Sequence, residues 1–129
     1  MNYYHATTLE NVSFDQAVEK TTHALKEKGF GVLTEIDVSA TMKEKLDKVF
    51  RPYKILGACH PPSAFAALQA EDKIGTMLPC NVIVQQLDAD TIEVAAINPR
   101  ASMQAVENHE LKKIAREVEK KLAAVIDQL

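Results

Sequence analysis

Two apolar periodicities take turns along this chain, and together they leave few folds open to it. Strand-length runs alternate apolar and polar residues with a period of two, and between them apolar residues recur at helical spacing. Tyr3 to Leu9 is rich in aromatic and β-branched residues and reads as a first strand. Ser13 and Gln16 form a capping box for a helix whose inner face is Phe14, Val18, Thr21 and Leu25, and Gly29 sits where a left-handed residue ends it. From Phe30 to Val38 the alternation returns, with Val32, Thr34, Ile36 and Val38 on one buried face. Thr41 and Glu44 make a second capping box for a short helix. Met42, Leu46, Val49 and Phe50 are its apolar stripe, and Pro52 stops it.

Tyr53 to Cys59 is a third strand. Pro61 and Pro62 suit the first turn of a helix, where amide protons have no partner, and Phe65 and Leu68 are its inward residues. Lys73 to Met77 reads as a loop. Pro79 to Gln86 and Thr91 to Ile97 are strands joined as a hairpin through Asp88-Ala89-Asp90. Arg100 to Glu107 fits either a loop or a helical turn. From about Asn108 runs the strongest helix, with Leu111, Ile114, Val118, Leu122, Val125 and Leu129 on its apolar face. The order is β-α-β-α-β-α-β-β-α, an α+β domain spanning residues 1–129 with helices packed on a sheet of about five strands.

With 129 residues, 47% of them hydrophobic and 26% charged, the chain can bury a real core. Its net charge of −3 weighs against a nucleic-acid partner, because duplex affinity comes mostly from Lys and Arg meeting phosphates. No apolar run approaches the ~20 residues of a membrane helix. The first residues lack the basic and then apolar regions of a secretory signal. The expected compartment is the cytoplasm, where the two cysteines would stay reduced.

Those cysteines mark the candidate chemical centre. Cys59 closes the third strand just before the proline-initiated helix, so its sulfur falls near the positive end of a helix dipole, which favours the reactive thiolate. His60 is adjacent and is a possible ligand or base, although strand neighbours point to opposite faces unless the chain turns there. Cys80 opens the next strand without such a dipole. Equally, a free cysteine can be a small buried hydrophobe. Cys59, His60 and Cys80 supply three candidate metal ligands, one short of closed tetrahedral zinc, so the fourth would have to come from elsewhere, such as a second subunit. His5, His23 and His109 read as surface or satisfied residues, and Glu35 with Asp37 as a solvated strand face. No Gly-rich phosphate loop, Gly-x-Ser-x-Gly elbow or His-Glu-x-x-His helix is present.

The run Tyr53 to Pro61 (Tyr-x-Ile-Leu-Gly-Ala-Cys-x-Pro), then Ala64 and Leu68, then Leu78 to Val82 (Leu-Pro-Cys-Asn-Val), resembles the Domain of Unknown Function 302 family. The passage from Ala24 to Asp37 and Asn98-Pro99 followed by Met103 are similar to it too. The resemblance implies a curved, mostly antiparallel sheet in a TATA-binding-protein-like arrangement, a homodimer, and no established activity. Three functions remain open. The first is a domain binding a small ligand or metal at Cys59, His60 and Cys80 in a homodimer. The second is a thiol-dependent enzyme with Cys59 as nucleophile. The third is a structural or interaction module whose cysteines only pack. An antiparallel sheet puts both sulfurs at one end, partly accessible and bordering a pocket at the start of the Pro62 helix.

Overall fold

A computed structural model describes residues 2–129. It contains five strands, β1 (Tyr4–Glu10), β2 (Gly31–Asp37), β3 (Tyr53–Cys59), β4 (Cys80–Gln86) and β5 (Thr91–Ile97). Five helices accompany them: α1 (Phe14–Glu27), α2 (Val38–Leu46), α3 (Pro61–Ala70), α4 (Pro99–Ser102) and α5 (His109–Gln128). A 3-10 turn at Ile74–Met77 lies between α3 and β4. The strands form one open sheet in the order β1-β5-β4-β3-β2, every neighbour antiparallel. The α+β class, the strand count and the order of elements read from the sequence all hold.

The core lies between the sheet and its two long helices. Register sets Leu56 opposite Val82 and Val82 opposite Ala96, and Val84 opposite Val94, all on the helix-facing side and all fully buried. Against them pack Val18 and Leu25 of α1 and Val118, Leu122 and Val125 of α5. The first helix begins with both halves of the Ser13–Gln16 capping box. It ends in a Schellman motif: Phe30 N–H donates to the Leu25 carbonyl (2.9 Å) and Gly29 N–H to that of Lys26 (3.0 Å), with Gly29 at φ +86°. Thr21, fully buried in the stripe, spends its hydroxyl on the Ala17 carbonyl (2.7 Å).

Three local expectations fail, each for a physical reason. In β2 the register slips between Val32 and Thr34: Val32 faces Ala58 but Thr34 faces Gly57, leaving Leu33 as the extra residue of a bulge. The bulge reverses the phase of the alternation, so Ile36 turns to the uncovered side and is 48% exposed. Helix α2 starts a turn before the Thr41–Glu44 box, because Asp37 caps it by accepting from Ala40 N–H (2.9 Å). It ends at Asp47, which adopts a left-handed φ of +52°, and none of its residues is buried. In α3, Phe65 points outward, Leu68 is partly exposed at the edge of a cavity, and Ala67 is the buried residue. Its small side chain lets α3 approach α5, where Ala67 joins Ala115, Leu111, Met103 and Ile74 in a second apolar cluster.

Gly57 in β3 is crowded by Thr34 of β2 and by Pro79. A Cβ there would fall on Thr34 Oγ1 and 2.8 Å from Pro79 Cγ, so the site is full. Gly57→Ala is expected to destabilise the fold by about 1–3 kcal/mol, the range for overpacking. Adding Thr34→Ala should restore part of that loss, as read from paired urea denaturation curves. Equal stability of Gly57→Ala and wild type would show that the strands can part there.

Candidate ligand cavity

Strand β3 ends at Cys59, and β4, running back beside it, begins at Cys80 with Ala58 as its cross-strand partner. The chain between them leaves as α3, passes over the edge of the core onto α5, and returns through the 3-10 turn and Pro79. Because α3 meets α5 through alanines, the three walls do not close completely. A cavity of about 290 Å³ remains among them, at the small end of the range for ligand sites.

Its wall is almost wholly apolar. Ala67 and Leu68 come from α3, Ile114, Ala115 and Val118 from α5, with Phe30 and Met103 beside them. The bulged Leu33, 68% exposed, stands at its edge. Polar groups enter through Cys59, His60, Ser63 and Cys80. The structure therefore brings all three sequence-derived candidates to one cavity, at the same end of the sheet, as antiparallel strands require.

These side chains differ in state. Cys80 is 9% exposed, contrary to the expectation that both thiols are partly accessible, because its side chain belongs to the main core cluster. Burial pushes its thiol up to about 11, with Cys59 nearby adding to the effect. Cys59 is half-buried, and both thiols are free. His60 is the N-cap residue of α3, yet its side chain does not cap the helix. Its Nδ1 lies 2.8 Å from Ser63 Oγ, and its ring packs on Phe30 with centroids 5.4 Å apart. The other edge of the ring rests against Gly29, where a Cβ would meet Cδ2 at 3.1 Å. Burial holds the imidazole below its ordinary 6.5, and the charge of Lys121 on α5 acts in the same direction. His60 is thus mainly neutral at pH 7, a hydrogen-bonding group and not a fixed charge.

The metal reading does not survive this geometry. Among the described residues, no three His, Cys, Asp or Glu side chains gather closely enough to hold an ion. Cys59, His60 and Cys80 share a cavity wall without converging on one point in it. Of the other histidines, His23 pairs with Glu27 one helical turn on (2.9 Å), and His5 Nε2 lies 3.4 Å from Glu119. Glu35 accepts a hydrogen bond from Lys54 Nζ (2.9 Å) across the β2–β3 pair, far from the cavity. The sequence reading missed Leu33, Met103 and the α5 residues Ile114 and Ala115. The bulge that exposes Leu33 carries no local signal, and the helical stripe of α5 gives no sign of where its packing stops.

Fold and cavity define a class: a single antiparallel sheet backed by helices on one face, with a small apolar cavity at the β3–β4 end. The family described as domain of unknown function DUF302 matches residues 5–129, and the chain belongs to that family. Among solved structures it is similar to an uncharacterised conserved DUF302 protein from Bacillus stearothermophilus, with 28% identity and a TM-score of 0.89. That likeness covers 99% of this chain and 98% of the other. No curated protein matches it.

Two measurements follow from the site. Alkylation followed by mass spectrometry should label Cys59 well before Cys80 at pH 8, with Cys80 reacting only as the pH nears 11 or the protein unfolds. Similar labelling of both thiols across that range would contradict the buried position of Cys80. For His60, whose folded pKa is depressed, the unfolded state binds the proton more readily. Its contribution to stability is complete above 6.5 and is lost as the pH falls through the lower folded value. NMR titration of the ring should give a midpoint below 6.5, and a midpoint above it would reverse that sign.

Proposed function

We propose that the protein binds a small, mainly apolar ligand in this cavity, with Cys59, His60 and Cys80 in the binding wall, and that it works as a homodimer. One observation carries the ligand reading: both cysteines and the neutral His60–Ser63 pair face a preformed apolar space otherwise lined by aliphatic and aromatic side chains. An apolar cavity selects for apolar bulk, and a few hydrogen-bonding groups then fix orientation. His60, Ser63 and the Cys59 thiol offer donors and acceptors without a full charge, which favours a carbonyl, hydroxyl or amide on the ligand over a strongly ionised group.

The homodimer reading is supported by how much large apolar surface one chain leaves in solvent. Away from the cavity, Ile36, Leu46 and Val49 are each more than 40% exposed, apolar surface that an interface between copies would cover. The net charge of −3 favours a partner other than nucleic acid. A cytoplasmic home suits two free thiols. Among the described residues no helix is long and apolar enough to cross a membrane.

The ligand reading is tested by titrating methyl-labelled protein with indole, toluene and hexanoic acid. Methyl signals of Ala67, Leu68, Met103 and Val118 should shift together with at least one of these, and Ala64→Phe, which fills the space, should abolish the shifts. Cavity signals that stay fixed with every probe, or shifts that persist in Ala64→Phe, would remove the reading.

A further inference from the structure

The face of the sheet turned away from α1 and α5 breaks the pattern of a sheet that meets water. On an antiparallel sheet covered on one side, outward positions are normally polar. Here the register sets Ile55 opposite Ile83 and Ile83 opposite Ala95 on the outward side. A groove opens over Ile83 and Ala95, walled by Tyr4 and Tyr53, with Asn81, Gln85 and Glu93 as its polar residues. Its acid, Glu93, accepts from Gln85 Nε2 (2.8 Å), and Gln85 Oε1 in turn accepts from Arg51 Nε (2.9 Å). One amide thus links an acid and a base, and the Arg51 guanidinium lies over the Phe50 and Tyr53 rings, 4.5 and 5.5 Å from their centroids.

A knob stands beside this groove. Leu46, the last residue of α2, is 62% exposed, and Val49, in the segment that leads from α2 into β3, is 93% exposed. Val49 is two residues from Arg51, whose bond to Gln85 ties that segment to the groove wall. One chain therefore presents an unfilled apolar groove and an unburied apolar knob side by side.

We infer that this face joins two copies of the chain, the Leu46–Val49 knob of each seated in the Tyr53–Ile83 groove of the other. A two-fold axis makes both contacts at once, since a residue that touches its counterpart is touched in the same way in return. The area suffices. Five strands of seven residues span about 24 by 24 Å, so two copies cover on the order of 1,100 Å² even in projection, above the ~1,000 Å² expected of a specific interface. Charge agrees as well. The acid and base on the face are already linked, so two copies meet without facing like charges, and a polyanion would find Arg51 engaged.

This inference rests on the homodimer proposed above, and sedimentation velocity at micromolar concentration separates the two. Wild type should sediment at about twice 14.3 kDa, Val49→Glu and Ile83→Glu as monomers, and Phe65→Glu, at the cavity side, as a dimer. Val49 is so exposed that its replacement leaves the fold of each copy intact, which circular dichroism checks. A monomeric wild type overturns the homodimer itself. A dimeric Val49→Glu, or a monomeric Phe65→Glu, leaves the homodimer standing and overturns this face.

Discussion

The antiparallel pairing of β3 with β4 is the constraint on which the rest of the molecule depends. With Ala58 set against Cys80 and Leu56 against Val82, the two central strands present one continuous apolar surface to α1 and α5. The same register fixes where β3 ends and β4 begins, and so where the chain must leave the sheet and come back. Everything between Cys59 and Cys80 is a connection between two points at one end of the sheet. It has to arch over the core edge, and α3 with its 3-10 turn is that arch.

The cavity is a consequence of how the arch is built. Alanine faces on α3 and α5 allow close helix approach but supply little volume, while Phe65 is turned outward and Leu68, partly exposed, only edges the space. The space is open to solvent past Leu33 and Leu68, so the helices leave apolar side chains there that closer packing would cover. The polar groups reach it by accident of register and turn. Cys59 and Cys80 arrive as strand ends, and His60 is swung in because the chain leaves the strand at Pro61. A glycine at position 29 leaves room for the edge of the imidazole at the end of α1.

Burial then divides two chemically identical thiols. Cys80, within the core cluster, has lost the solvation a thiolate needs, and Cys59, at the cavity edge, keeps partial access to water. His60 is discharged by the same desolvation, which leaves the almost wholly apolar cavity wall without a fixed charge. Such a wall offers no fixed charge to hold an ion, in keeping with the failure of the three candidate ligands to converge.

Much of the fold was legible in the residues themselves. Ser13 and Gln16 write the start of α1, Gly29 its end, and Tyr53–Cys59 and Thr91–Ile97 the limits of two strands, because caps, left-handed positions and period-two alternation are local properties of the chain. The meeting of Cys59 with Cys80 at one end also followed, given antiparallel strands. What failed was decided by partners distant in sequence. The β2 bulge at Leu33 depends on Thr34 finding Gly57 across the strand pair, and it alone turns Ile36 outward. Which face of α3 looks inward depends on Ala115 of α5, nearly fifty residues away, accepting Ala67 and not Phe65. Sequence by itself determined the elements and their order, since those follow from local backbone preference and periodicity. Only the tertiary structure decided the cavity and the states of its thiols and imidazole, because packing volume and desolvation are properties of neighbours that the chain brings together only when folded.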